Sequence, residues 1–364
     1  MTHTADASAP PLRAGVIGQG FMGRTHVLAY LAAERAGLPC RLVAVCDRDP
    51  EKRLGRAARS GNLDVSGGQD PLFDPAVVRG HEQPSQLIAD PTIDLISICT
   101  PTDTHVELAL TALGAGKHVL IEKPVAIDAP SVRRVAEAAR AGAAGPRPAV
   151  CMPGMCMRFW EGWTWLKARI EDGSLGRVRS AVFRRLGHMP TWAPDFYADY
   201  SRSGGALADL HIHDTDFILW CFGRPAAVTC TGSLHHVSTL YRYPPGNRSL
   251  VEGAHITAEG GWDHDESFGF RMRYTVVFER GTADFDLRRD PQLLLHRAGT
   301  TESIPIGPLN AYEAEIRCFV SVAAALACGR AASLAFPTIE DALAAAEVID
   351  AERESLLSGR SVSL

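Results

Sequence analysis

The chain has 364 residues, 46% of them hydrophobic and 22% charged, with a formal charge of -5. That length predicts two domains with ample cores. The slight acidic balance offers no electrostatic footprint for nucleic acid or an anionic membrane, and no apolar run reaches the length of a membrane span. Nine cysteines are scattered without a CxxC pair, and Cys46, Cys99 and Cys230 fall inside apolar strand-like runs. This usage suits buried reduced thiols in a cytoplasmic protein rather than a disulfide framework or a zinc site.

Residues Met1 to Leu12, rich in Ala, Thr and Pro, read as a disordered tail rather than a signal peptide. Arg13 to Ile17 is a short apolar strand that runs into a glycine turn, and Phe21 to Ala36 carries helix-compatible apolar residues that stop at Gly37. Arg41 to Cys46 is a continuous apolar run, as a parallel strand buried on both faces requires. Gly61 to Pro84 lacks periodicity and reads as a surface excursion. Ile93 to Cys99 is another buried strand, Thr104-x-x-Glu107 a capping box for a helix ending near Gly116, and His118 to Ile121 a further strand. Alternating strands and helices predict a doubly wound parallel sheet.

The pattern changes after Pro124. Strand-like stretches at Val178 to Arg184, Ala226 to Thr231, Phe268 to Phe278 and Thr282 to Asp286 follow one another, with one helix between, Ala206 to Cys221. Short connections between successive strands predict a largely antiparallel sheet and a second, α+β domain. Helices at Tyr312 to Ala327 and Ile339 to Leu356 close the chain. The basic pairs Arg184-Arg185 and Arg288-Arg289 read as solvated faces.

Three groups of residues carry chemistry. In Gly18-x-Gly20-x-x-Gly23 the first glycine permits a tight turn, the second lets backbone approach a pyrophosphate, and the third allows close helix packing. Asp47 ends the next strand, where a carboxylate accepts from the ribose hydroxyls of NAD and repels the 2′-phosphate of NADP; Arg48 beside it leaves NADP open. An ordinary strand-to-helix turn with a turn-forming Asp47 is the bland alternative.

Glu122-Lys123-Pro124 directly follows a strand, so it falls at the carboxyl edge of the sheet, where a lysine can hydrogen-bond a substrate oxygen and favour its alkoxide. A lone lysine paired with Glu122 on the surface is the default otherwise. Asp209 and His213, four apart, share one helical face, with Asp216 a turn further. A carboxylate beside an imidazole orients it as a general base; a dipole-favoured acid and a core histidine is the plainer reading. His211-x-His213-Asp214 invites a metal, but residues two apart on a helix diverge, so no metal is assigned.

The order of these motifs, with Cys99-Thr100-Pro101, His105, Gly204-Gly205-Ala-Leu-Ala-Asp209-x-x-x-His213 and the closing Ala351-x-x-x-Ser355-x-x-x-Gly359-Arg360-x-Val362, resembles the Gfo/Idh/MocA oxidoreductases over nearly the whole chain from Arg13. The resemblance implies a dinucleotide-binding Rossmann domain at 13–124 and, at 125–364, a domain with an open, mostly antiparallel sheet. The outer face of that sheet commonly forms a homodimer or homotetramer interface, and the C-terminal helices would pack back on the first domain.

It assigns Lys123, Asp209 and His213 as catalytic, with a Lys123-Pro124 bond that is often cis. It assigns Gly18, Gly20, Phe21, Met22, Gly23, Asp47, Arg48, Thr100, Pro101, His105, Glu122 and Lys123 to the cofactor, NAD with NADP as the variant. Arg158, Trp192 and His211 are candidate substrate contacts, and Trp160, Trp163, Tyr197 and Tyr200 lie in segments that could line the same cleft.

The implied activity is hydride transfer between a secondary alcohol carbon of a sugar, sugar derivative or cyclitol and the nicotinamide. The alternatives are an NADP-dependent carbonyl or sugar reductase, a dihydrodiol dehydrogenase, and a non-catalytic NAD-binding regulator of the same fold.

Overall fold

The computed structural model describes residues 10–56, 71–145, 147–243, 251 and 253–364. Most of the tail and the first ten residues of the 61–84 excursion lie outside the described residues. Leu12, placed in the tail by sequence, opens the first strand.

Two units divide the chain discontinuously. The first comprises 1–126, 130–154 and 310–340, the second 127–129, 155–309 and 341–364. Beyond the boundary expected at 124, the first unit also takes in two later segments. One contains the last strand of its sheet, and the other a helix that packs on the helix after the glycine turn. Of the two closing helices, that one belongs to the first unit and nearly all of the last to the second.

Six parallel strands, β1 (Leu12–Ile17), β2 (Cys40–Cys46), β3 (Arg79–His81), β4 (Leu95–Ile98), β5 (His118–Ile121) and β6 (Cys151–Pro153), are ordered β3-β2-β1-β4-β5-β6. The order reverses between β1 and β4, the switch point where open α/β sheets bind ligands. Between the strands run α1 (Phe21–Arg35), α2 (Pro50–Arg53), α3 (Pro84–Ala89), α4 (His105–Gly114) and α5 (Ala129–Ala143).

β3 and β6 escape sequence reading because three residues give no periodicity, and β3 is Arg-Gly-His. The capping box at Thr104 does not form. The Thr104 hydroxyl instead donates to Pro101 O and Thr100 Oγ1, both at 2.7 Å, which tightens the turn after β4. Cys46, Cys99 and Cys230 are buried free thiols, and burial pushes the Cys46 thiol up to about 12, so it stays inert.

In the second unit α6 (Glu161–Asp172) precedes β7 (Val178–Leu186); α7 (Pro194–Ala198) and α8 (Tyr200–Ser203), missed by sequence, lead to α9 (Ile212–Phe222). The strands that follow are β8 (Ala227–Ser233), β9 (His236–Arg242), β10 (His255–Gly261), β11 (Arg271–Phe278), β12 (Gly281–Asp286), β13 (Leu293–Arg297) and β14 (Thr300–Ile304). Two helices, α10 (Ala311–Ala327) and α11 (Ile339–Ser358), and a short β15 (Val362–Ser363) end the chain. The nine-stranded sheet runs β14-β13-β12-β11-β7-β10-β9-β8-β15 and is antiparallel except where β7 meets β10.

Its core is aromatic. Trp163 meets Phe217 and Tyr274 edge-on at 4.7 and 5.3 Å and Phe183 at 5.7 Å. Gly162 is required there, because a Cβ would lie 2.7 Å from the Phe285 ring. Trp163 is fully buried, so it is a core residue and not part of a cleft lining. Arg185 is also corrected: the alternation of β7 turns it inward onto Asp214, while Arg184 faces out to Glu259. Trp163→Ala should lower unfolding free energy by about 3–5 kcal/mol in urea titration; a loss under 1 kcal/mol would deny it the central position.

Candidate active site

The first unit brings its site residues to one edge because three strands stop in register. Ile17 pairs with Ile98 and Ile98 with Ile121. Each following residue is tied to its neighbour: Cys99 N–H donates to Ile17 O at 2.8 Å, Glu122 N–H to Ile98 O at 3.0 Å, and Gly154 N–H to Ile121 O at 2.7 Å. Gly18, Thr100 and Lys123 therefore leave the sheet side by side.

The glycine turn fits a dinucleotide. Gly18 has φ +87°, and a Cβ on it would meet Cys99 O at 2.5 Å. A Cβ on Gly23 would lie 1.7 Å from Gly18 O, whereas one on Gly20 would meet nothing within 4 Å. Gly20 is also the N-cap of α1, with no side chain capping it and no acid in the first turn. An uncapped helix N-terminus behind an open glycine is an anion site for pyrophosphate.

Phe21 and Met22 begin that helix half-buried. Asp47 Oδ2 accepts from Gln19 N–H at 2.8 Å and Oδ1 from Asp49 N–H at 3.0 Å, so the carboxylate is aimed by backbone. Arg53, which sequence reading missed, donates to Asp47 O and Arg48 O, both at 2.9 Å, and fixes this loop; Arg48 itself is exposed.

Two residues assigned to the cofactor work behind the edge instead. His105 is buried, with Nδ1 2.9 Å from Pro124 O and Nε2 2.8 Å from Thr100 O. Burial lowers its pKa even though both carbonyls raise it. A neutral imidazole has one N–H, so the turns after β4 and β5 share one donor. The Glu122 carboxylate likewise points inward, with Oε1 2.9 Å from His26 Nε2 and Oε2 accepting from Lys123 N–H at 3.2 Å. Pro101 is exposed, Thr100 and Lys123 are half-buried, and the Lys123-Pro124 peptide is cis.

In the second unit Asp209 and His213 do not lie on one α-helix. Residues Leu207–His211 form a π-helical turn that passes into α9 at Ile212. Such turns occur at functional sites. Gly204 and Gly205, both at φ +71°, bend the chain into it, and a Cβ on Gly205 would meet Leu234 O at 2.7 Å. Asp209 and His213 are half-buried, and His213 Nδ1 lies 4.0 Å from Cys156 Sγ, a neighbour that no sequence motif announces.

Two buried ion pairs hold α9 in place. Arg158 gives Nε and Nη2 to Asp216 at 3.0 and 2.6 Å and Nη1 to Asp341 at 3.3 Å. Burial would lower this guanidinium's pKa, but the two carboxylates outweigh it and raise it. Arg185 gives Nε and Nη2 to Asp214 at 3.0 and 3.1 Å.

Arg158, fully committed, is therefore a structural residue and not a substrate contact. His211 is corrected too. Fully buried, its Nε2 faces Tyr241 Oη at 3.2 Å and Glu352 Oε2 at 3.3 Å, and it fits only because Gly260 lacks a Cβ. Trp192 is half-buried, edge-on to Tyr197 at 5.8 Å. The Tyr200 hydroxyl meets the His235 ring.

Residues 12–144 match the Gfo/Idh/MocA family description "Oxidoreductase family, NAD-binding Rossmann fold", and residues 163–284 match its C-terminal domain. The chain is 26% identical to an inositol 2-dehydrogenase of Rhizobium meliloti over 97% of this chain and 99% of that protein. It is 30% identical to a levoglucosan dehydrogenase of Pseudarthrobacter phenanthrenivorans over 60% of this chain and 53% of that one. A solved levoglucosan dehydrogenase in complex with NADH and levoglucosan shares the fold, with TM-score 0.75 at 22% identity and 97% and 99% of the two chains covered. No helix among the described residues is long and apolar enough to cross a membrane.

Gly23→Ala should abolish NADH binding in a fluorescence titration, since its Cβ cannot clear Gly18 O, while Gly20→Ala should weaken it without disturbing the fold. Wild-type affinity in Gly23→Ala would refute this turn geometry. The chain belongs to the Gfo/Idh/MocA oxidoreductases, with an NAD-binding Rossmann domain as its first unit.

Proposed function

We propose that the protein is a dehydrogenase of a polyhydroxylated substrate, a cyclitol, sugar or sugar derivative, that uses NAD to oxidise a secondary alcohol. The observation that carries this reading is the presence of Lys123, Asp209 and His213 in a chain similar along its length to an inositol 2-dehydrogenase. A regulator that only binds NAD has no need of a proton-transfer set.

In this reading His213 takes the hydroxyl proton, Asp209 orients its ring, and Lys123 hydrogen-bonds the same oxygen and favours its negative charge. Bound NAD supplies the hydride acceptor. Trp192, on the aromatic cluster with Tyr197, offers a flat surface to the C–H face of a sugar. Asp47 supports NAD over NADP by charge. A homodimer or homotetramer formed through the open face of the nine-stranded sheet would be read by light scattering.

A panel of cyclitols and sugars assayed with both nicotinamides tests the function. Oxidation with NAD is expected. Lys123→Ala and His213→Ala should each lower kcat about 100-fold or more while NADH binding persists. Near-normal turnover in both variants would sink the mechanism, and NAD binding without turnover of any polyol would favour the regulator.

Asp47→Asn, which keeps the acceptors and removes the charge, should shift the ratio of kcat/KM with NAD to that with NADP toward NADP by about tenfold or more, the scale of one lost charge interaction. An unchanged ratio would contradict its assigned role.

A further inference from the structure

Behind the Glu122-Lys123-Pro124 turn, three side chains from distant stretches of the first unit converge away from solvent. His26 comes from the second turn of α1, Glu122 from the end of β5 and Glu315 from the second turn of α10. One ligand atom of each lies within 4.8 Å of the others. His26 Nε2 stands 2.9 Å from Glu122 Oε1, whose partner oxygen accepts from Lys123 N–H. Glu315 is 0% exposed, and neither of its oxygens has a hydrogen-bond partner, nor does His26 Nδ1.

Two ionised carboxylates cannot share such a place cheaply. A buried ion costs several kcal/mol before any repulsion is counted, and two carboxylates at one site force a proton onto one of them. The titratable groups that face Glu315 are Glu122 from β5, His26 and Tyr30 from α1, Cys99 after β4, and Cys318 on its own helix. Of these only His26 can carry positive charge, and its Nε2 is turned to Glu122. Burial first, and Glu122 second, raise the Glu315 carboxyl well above the ordinary carboxylate range.

A metal ion is the other way to satisfy three such ligands. The 2.9 Å between His26 and Glu122 is hydrogen-bond spacing; ligands on tetrahedral zinc, with bonds of about 2.0–2.1 Å, stand roughly 3.3 Å apart. The geometry favours a proton.

We propose that Glu315 remains protonated in the folded protein, so that His26 alone holds the Glu122 carboxylate against the Lys123 amide and is a positioning residue for Lys123. Glu122 is fixed on one oxygen by the imidazole and on the other by the backbone of the residue that meets substrate. Glu315 closes the pocket behind it without adding a second charge. The inference rests on the reading of Lys123 as the residue that meets the substrate oxygen.

The experiment has two arms. In the first, urea unfolding of the wild type and Glu315→Gln is compared from pH 5 to pH 8. The folded wild type keeps a proton that the unfolded chain releases above its ordinary pKa of about 4.3. Its stability relative to the variant is therefore full below that value and is lost as pH rises toward the raised folded value. The ratio of wild-type to variant unfolding constants should climb toward about tenfold per pH unit. A ratio flat with pH would overturn the protonation, as would a stoichiometric divalent metal in the purified wild type that is missing from Glu315→Gln.

In the second arm, His26→Leu should lower kcat for polyol oxidation by about tenfold, the scale of one hydrogen bond, with KM for NAD within about twofold. His26→Gln, neutral and still a donor, should restore kcat to within about twofold of wild type. A Gln variant as impaired as the Leu variant would overturn the positioning role. Should Lys123→Ala turn over normally, the function assigned to Lys123 fails and the positioning role falls with it, while the first arm still decides the proton.

Discussion

The register in which β1, β4 and β5 end governs the first unit. Backbone hydrogen bonds from Cys99, Glu122 and Gly154 to the last residues of the preceding strands align three turns along one edge. Since side chains alternate along a strand, slipping one strand by a residue would exchange its faces and bury Lys123 where Glu122 now lies. The glycines at 18 and 23 belong to the same constraint, because their missing Cβ atoms are what let the turn close onto Cys99 and onto itself. Behind the edge, His105 and the Glu122–His26 pair tie the turns to the interior, so the exposed chemistry is supported by buried polar contacts.

The second unit reaches rigidity by another route. Asp209 sits on a π-helical turn and His213 on the helix that continues it, an arrangement whose support comes from charge. Asp214 and Asp216, on the helix that carries His213, are each gripped by a buried arginine. Removing one partner of such a pair leaves an uncompensated buried charge, so these pairs are costly to disturb and hold α9 in a single placement. The knot of His211, Thr215, Tyr241 and Glu352 adds hydrogen bonds on the buried side of the same segment.

Much of this was legible in the sequence, for physical reasons that also mark where legibility ends. The strands around Val16, Val45 and Ile96 are buried on both faces and read as unbroken apolar runs, and glycine punctuates the turns that need it. β3 and β6 are too short for any period, and the return of residues 130–154 and 310–340 to the first unit is a tertiary fact with no local signature. Arg158, His211 and Arg185 were misread because a polar side chain announces its type but not its direction. Each is satisfied by a partner far away in sequence. Glu315 meets Glu122 only through the packing of α10 on α1, which no local pattern announces. The π-turn escaped because one inserted residue leaves the apolar pattern of a helix nearly intact.

In the function proposed, this chain removes hydride from a carbon bearing a hydroxyl group and delivers it to NAD. The most direct measurement is rapid-mixing kinetics of NADH formation with a cyclitol carrying deuterium at its ring carbons and with the same compound unlabelled. NADH formation is expected to show a primary isotope effect on the hydride step, larger in a His213 variant where chemistry is slowed. NAD bound at saturation with no NADH formed from any polyol, labelled or not, would contradict it.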